Sequence, residues 1–221
     1  MKHRVFVTGG TGYIGRRLIP MLQARGHDVM ALVRAGSEGK LPPGCTPVVG
    51  DALSGATYSR HVGSCDTFVQ LVGVPHPSPA KAKEFVAIDQ KSGLEAIHTA
   101  AGAGIAHFIY VSVAHPAPAM HTYIAARTAC EDELRSSGLS ATVLRPWYVL
   151  GPGHRWPYVL IPFYWLAERI PSSREGARRL GLVTLEQMLR ALANAVEHPP
   201  DEGIRTVEVP AIRAVGRLGA G

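Results

Sequence analysis

The stretch Arg4-Val5-Phe6-Val7-Thr8-Gly9-Gly10-Thr11-Gly12-Tyr13-Ile14-Gly15 decides the architecture. A β-branched and aromatic run, Arg4 to Thr8, passes straight into glycines at 9, 12 and 15. A pattern of helical period follows from Tyr13 to Arg25, with Ile14, Leu18, Met21 and Leu22 on one face. Gly9 permits a tight turn, Gly12 lets a backbone approach a pyrophosphate at the helix N-terminus, and Gly15 allows helix to pack closely on strand. Between a strand and a helix, the triplet reads as a dinucleotide-binding loop rather than a structural turn. Its expected cofactor-facing residues are Gly9, Thr11, Gly12, Tyr13, Ile14 and Gly15. No Gly-Lys-Ser/Thr follows, which excludes a mononucleotide P-loop.

Working outward, Gly26 stops the helix before a second run, Asp28 to Arg34, and this completes a strand-helix-strand unit. Ala35 to Pro47 is rich in Gly and Pro and has no apolar face, so a loop is expected where a crossover helix would sit. Further strands are expected at Pro47 to Gly50, Asp66 to Val72, Phe108 to Val113, Thr142 to Leu144 and Arg205 to Val209. Helices are expected at Leu53 to Val62, Lys81 to Ala101, Thr122 to Arg135 and Leu185 to Glu197. This alternation specifies a single doubly wound α/β domain of the Rossmann type over residues 1–210. Its mainly parallel sheet has the order 3-2-1-4-5-6-7, with a cofactor lying across the C-terminal strand ends. A reduced C-terminal lobe is expected at about 147–210, and a flexible small-residue tail at 211–221.

The 221 residues suit one domain with a substantial core, and 18% charged against 46% hydrophobic residues excludes a disordered chain. The net charge of +6 fits an anionic ligand, a nucleic-acid surface or a slightly basic enzyme alike. The three cysteines, Cys45, Cys65 and Cys130, have no C-x-x-C or Cys/His metal spacing, so neither a disulfide framework nor a thiolate metal site is expected. Met1 to Arg4 is basic, but no apolar stretch of signal-peptide length follows, and the longest apolar run, Trp156 to Ala167, is too short to span a bilayer. A cytoplasmic protein is the expectation. The basic residues are scattered without an aromatic-basic stripe, so nucleic acid is not an expected partner. The histidines His76, His115 and His121 lack ligand spacing and read as loop residues, with no metal expected.

The end of the second strand selects the cofactor, because an acid there accepts from a free ribose hydroxyl whereas a cation accommodates a 2′-phosphate. Here the residue is Arg34, followed by Ser37 and Lys40, which favours NADP over NAD. Asp51 and Ala52 follow the third strand. Asp51 either accepts from the adenine amino group or caps the next helix.

The Thr-Gly-Gly-x-Gly-x-x-Gly start, Gly50-Asp51, Ile109-Tyr110-Val111-Ser112, Tyr123 and Leu144-Arg145-Pro146-x-x-Val149-Leu150-Gly151-Pro152-Gly153 occur in this order. Together they resemble the extended and atypical short-chain dehydrogenase/reductase superfamily, which includes NAD(P)-dependent epimerase/dehydratase and NmrA-like proteins. The resemblance runs from about residue 4 to 210. It implies a reaction centre of Ser112, Tyr123 and a lysine four residues after the tyrosine, with the phenol as acid/base and the lysine holding the nicotinamide ribose. This chain carries Arg127 in the lysine's place, on the same helix face as Tyr123. Arginine can bond ribose hydroxyls but cannot join a proton relay. The pair is therefore either a working variant or an ordinary helix face in a protein that binds cofactor without turnover. The resemblance further places Leu71 and Gly73 against the cofactor, Pro146 beside the nicotinamide, and a homodimer among the possible assemblies.

The leading expectation is an NADP-dependent oxidoreductase acting on a small or apolar carbonyl or alcohol, with a small-molecule substrate as partner. A non-catalytic NAD(P)H-binding sensor or structural protein, NmrA-like, is the alternative, and a nucleotide-sugar epimerase/dehydratase is third. Trp147, Tyr148, Trp156, Tyr158, Phe163, Tyr164 and Trp165 crowd one segment after the sixth strand. They line a substrate, form a dimer or membrane-surface contact, or pack a C-terminal helix onto the sheet.

Overall fold

The computed structural model describes residues 1–75, 77–117, 119–152 and 174–215. His76 and five of the seven clustered aromatics, from Trp156 to Trp165, lie outside the described residues. Strand β1 (Arg4–Thr8) leads through the glycine turn to α1 (Gly15–Ala24) and β2 (Asp28–Val33), then to β3 (Thr46–Val49) with only a short 3-10 turn at Glu38–Lys40 between them. After β4 (Thr67–Gln70) the chain enters a continuous helical run, Ala82 to Gly102. Its middle, Phe85–Gln90, is wound as π-turns, and its last part is α2 (Lys91–Gly102). Strand β5 (His107–Val111), α3 (His121–Ser136), β6 (Ala141–Arg145) and β7 (Tyr148–Leu150) follow. Helix α4 (Arg174–Arg179), β8 (Leu182–Thr184), α5 (Leu185–Glu197), β9 (Ile204–Glu208) and α6 (Val209–Val215) complete the described chain.

Seven strands form one sheet in the order β3-β2-β1-β4-β5-β6-β9, with every neighbouring pair parallel. This is the expected 3-2-1-4-5-6-7 Rossmann order, its seventh place taken by the strand at 204–208. The pattern of period two sorts side chains between the two faces. Val5 and Val7 join Leu18, Ile19 and Leu22 of α1 and Leu189, Leu192 and Val196 of α5. Phe6, between them, joins Phe68, Phe108, Ile97 of α2 and Leu134 of α3 in the second core. Phe6, Phe68 and Phe108 pack in series across three adjacent strands, with ring centroids 5.2 Å apart at each step.

Two local expectations need correction. The helix expected at Leu53 to Val62 is broken into a 3-10 turn, Gly55–Thr57, and one α-turn, Ser59–Val62. At the break, the Thr57 hydroxyl turns back to the carbonyls of Ser54 and Asp51. The start of the expected tail is helix α6, because Ile212 is fully buried and the Arg213 guanidinium donates to the Leu182 carbonyl at 2.9 Å. Residues 216–221 lie outside the described residues. A second, two-stranded parallel ladder pairs β7 with β8, a contact across more than thirty residues that no local pattern announces. It leads into α5, where Thr184 and Gln187 form a reciprocal capping box worth about 1 kcal/mol.

At the N-terminal end of β5, His107 is 2% exposed and shares its Nε2 with Thr142 Oγ1 at 2.9 Å. Burial first, then the positive charges of Arg205 and His3, push its pKa down to about 4. The folded protein thus refuses a proton that the unfolded chain accepts near pH 6.5. Stability contributed by the neutral imidazole is complete above pH 6.5 and is lost as pH falls towards about 4, to a limit of about 3 kcal/mol. Thermal melts of His107→Gln should therefore show a flatter decline in Tm than wild type between pH 6.5 and 4. Parallel declines would remove His107 as the cause.

Candidate functional site

The turn between β1 and α1 is held by the Gly12 N–H donating to the Gly9 carbonyl at 2.9 Å. Gly9 has φ +70°, and a Cβ there would lie 2.9 Å from the Leu71 carbonyl carbon. A Cβ on Gly15 would lie 2.3 Å from the Gly9 oxygen, so these two glycines are demanded by backbone closeness. Helix α1 begins without a side-chain cap and without an acid in its first turn, which instead carries Arg16 and Arg17. The Arg16 and Arg17 N–H groups donate to the Gly12 and Ile14 carbonyls at 3.1 and 3.0 Å, and the Arg17 guanidinium donates to the Tyr13 carbonyl at 2.8 Å, so what this end of the helix offers a pyrophosphate is its positive dipole and the positive charge of its first turn.

Beside this turn lies a cavity of about 440 Å³. Of the residues expected to face the cofactor, Gly9, Thr11, Gly12, Arg34, Ser37, Asp51, Ala52, Leu71 and Gly73 all line it. Ile88, from the π-wound segment, also lines it and had no signal in the sequence. Tyr13, Ile14, Gly15 and Pro146 do not line the cavity. Tyr13 and Ile14 pack against the core on the α1 side, and Tyr13 lies under the Arg17 guanidinium, 4.8 Å from ring centroid to Cζ. The Pro146 carbonyl accepts from the Ala114 N–H at 3.0 Å. Arg34 is exposed, and its guanidinium has no hydrogen-bond or ion-pair partner among the described residues. Asp51 Oδ1 accepts from the Leu53 N–H at 2.9 Å, so the carboxylate organises the following turn while it lines the cavity.

The expected reaction-centre residues fall into two buried clusters. In the first, Arg127 is 5% exposed and donates to Asp89 Oδ1 and, at 2.9 Å, to the Val111 carbonyl. Its Cζ lies 5.2 Å from the Tyr123 ring centroid and 5.7 Å from that of Tyr110. Burial opposes the charge, but Tyr123, Tyr110 and Asp89 outweigh it and keep the guanidinium cationic. Asp89, fully buried, also accepts from the Val74 N–H at 3.0 Å. Arg127 thus stands in the lysine's place in sequence, while its guanidinium is committed to a carboxylate and a backbone carbonyl.

In the second cluster, Ser112 is 3% exposed and its hydroxyl donates to Glu131 Oε1 at 2.6 Å. The same carboxylate accepts from Arg145 Nε at 3.0 Å and Arg135 Nη2 at 3.1 Å, while His115 Nε2 lies 3.6 Å away. Burial raises the Glu131 pKa, but the bonds from Arg145 and Ser112 and the nearby charges outweigh it and hold it below the usual carboxylate range. The hydrogen of Ser112 is therefore turned to Glu131. Asp89 and Glu131 were both missed from the sequence. Glu131 repeats the helix face of Tyr123 and Arg127 at four-residue spacing, a signal that was available, whereas Asp89 lies 38 residues from its partner and had none.

The NAD(P)H-binding family model matches residues 9–157, and the chain belongs to that family. A 3-beta-hydroxysteroid dehydrogenase of Mycolicibacterium neoaurum is 29% identical over 115 residues, 49% of this chain and 31% of that protein. A ceramide reductase of Caulobacter vibrioides is 27% identical over 151 residues, 67% of this chain and 47% of that protein. The chain therefore spans less than half the length of these two curated relatives. Among solved structures, the Bordetella bronchiseptica enzyme WbmH in complex with NAD+ superposes with a TM-score of 0.70 at 22% identity, covering 98% of this chain and 80% of that one. UDP-N-acetylglucosamine 4-epimerase from Bacillus cereus gives 0.67 at 18% identity, covering 94% and 79%. Family model and fold agree on an NAD(P)H-binding domain with the Rossmann-type sheet of these solved structures. No helix among the described residues is long and apolar enough to cross a membrane.

A Cβ on Gly12 would lie 3.0 Å from the Gly9 carbonyl oxygen, and the branches of a valine would extend into the turn that lines the cavity. Gly12→Val should abolish thermal stabilisation by NADH or NADPH, whichever stabilises the wild type, while the far-ultraviolet circular dichroism stays near wild type. Retained stabilisation by either cofactor would mean that this turn does not hold the phosphates.

Proposed function

We propose that this chain is an NADP(H)-dependent oxidoreductase acting on an apolar carbonyl or alcohol. The observation that carries the reading is the arrangement around Gly73, which lines the cavity and abuts Arg127, the cation packed against the Tyr123 ring. When bound, the nicotinamide supplies or accepts a hydride at its C4. Gly9, Gly12 and the first turn of α1 hold the pyrophosphate, and Asp51 with Ala52 faces the adenine. Arg34 and Ser37 meet a 2′-phosphate, for which the uncommitted guanidinium is the favoured partner. Tyr123 donates the proton to the substrate oxygen during reduction and takes it back during oxidation. Ser112 has its hydrogen engaged by Glu131, so it meets a substrate hydroxyl as an acceptor. Arg127 acts through its fixed charge beside the phenol, since it cannot shed a proton at ordinary pH.

The apolar substrate class accords with the hydroxysteroid and the ceramide named for the curated relatives. The epimerases among the solved structures share the fold at low identity and give no support for a sugar substrate. A cytoplasmic homodimer belongs to the same proposal, for cell fractionation and sedimentation to check.

A second reading, a cofactor-holding sensor or structural protein, is favoured by one specific observation: the functional groups of Arg127 and Ser112 are already taken by Asp89 and Glu131. The two readings part on turnover. With a panel of apolar ketones, wild type should oxidise NADPH, and Tyr123→Phe should lower the rate by about two to four orders of magnitude while NADPH still binds. Turnover untouched by Tyr123→Phe would move the chemistry to other residues, and inactivity across the panel would favour the sensor. For cofactor choice, NADPH should bind more tightly than NADH, and Arg34→Asp should cost NADPH about tenfold or more in affinity. Equal wild-type affinities, unmoved by the substitution, would remove Arg34 from the 2′-phosphate site.

A further inference from the structure

Gly73 lines the cofactor cavity, and the resemblance to the superfamily assigns its lack of a side chain to the close approach of the cofactor. The packing gives another reason. A Cβ on Gly73 would lie 2.3 Å from Arg127 Nη2 and 3.0 Å from Asp89 Oδ1, so the space next to this glycine is already filled by the buried ion pair. Asp89 fixes both sides of the arrangement. One of its carboxylate oxygens accepts from Arg127 and the other from the Val74 N–H at 3.0 Å, which ties the backbone just after Gly73 to the π-wound segment. Neither Asp89 nor Arg127 lines the cavity.

We infer that Asp89 and Arg127 are positioning residues, a buried pair wedged against Gly73 that sets the wall of the cofactor cavity at its reaction end. Gly73 is bare to admit the guanidinium, and the cofactor meets a wall whose place the pair has fixed. The geometry also says which atom matters. The same Cβ would lie 3.6 Å from Arg127 Cζ, an ordinary contact, and 3.0 Å from Asp89 Oδ1, a tight one that a small shift relieves, so the hard collision belongs to the fork nitrogen. A lysine at 127 keeps the charge for Asp89 and lacks the fork. Glycine at 73 and arginine at 127 are therefore matched to each other, although 54 residues separate them in the sequence.

A double-mutant cycle tests this, read by NADPH affinity from fluorescence titration and by Tm without cofactor. In the wild-type background, Gly73→Ala should weaken NADPH binding by about tenfold and lower Tm by several degrees. In the Arg127→Lys background, where only the tight contact with Asp89 remains, the same substitution should change affinity by less than about threefold and lower Tm by clearly less than in wild type. Should Gly73→Ala alone fail to fold, a folded Gly73→Ala/Arg127→Lys protein is the supporting result, and failure of both overturns the inference. Equal losses in the two backgrounds also overturn it, since the cofactor itself would then demand the glycine. Neither readout depends on turnover, so an inactive wild type would defeat the proposed oxidoreductase reaction and leave this result standing.

Discussion

The closeness of α1 to the turn after β1 is the constraint from which the site follows. With the Gly9 oxygen 2.3 Å from where a Gly15 Cβ would sit, any larger residue would lift the first helical turn off the strand end. Seated as it is, α1 drives Leu18, Ile19 and Leu22 into the core beside Val5 and Val7 and sets its positive end, which has no side-chain cap, at the C-terminal edge of the sheet. The Gly12 and Ile14 carbonyls take the N–H groups of Arg16, Arg17 and Leu18, and no acidic side chain of the first turn offsets the positive end of the helix. An anionic ligand is the natural completion of this end of the fold.

The same edge of the sheet gathers charge that the apolar cores exclude. Arg127 with Asp89, and Glu131 with Arg145, bring four ionised groups out of water at the ends of β4, β5 and β6. Burying such pairs contributes little net stability, and removing one partner leaves an uncompensated charge, so their worth lies in the geometry they fix. One pair abuts Gly73 on the wall of the cavity. The other turns the Ser112 hydrogen away from any substrate carbonyl and ties β6 to β9 through Arg145 and Glu208, whose bond is 3.0 Å long. The π-wound segment Phe85–Gln90 belongs to this plan, because it carries both Ile88 on the cavity and Asp89 in the pair. Such windings recur at functional positions.

Much of this was legible in the amino-acid order. The sequence by itself determined the βαβ start, the seven-stranded order, the glycine turn and nine of the residues that line the cavity, because these rest on local signals: period, turn chemistry and the residue that ends a strand. It also located Arg127 as the departure from the superfamily pattern. Only the tertiary structure decided what that arginine does. Its partner Asp89 comes from a helix 38 residues away, and the glycine that makes room for it comes from the end of a different strand. The β7–β8 ladder, the helix in place of a loose start to the tail and the diversion of Ser112 to Glu131 were hidden for the same reason. Each depends on which distant groups the closed sheet brings within hydrogen-bonding or packing distance, and a one-dimensional pattern carries no record of those distances.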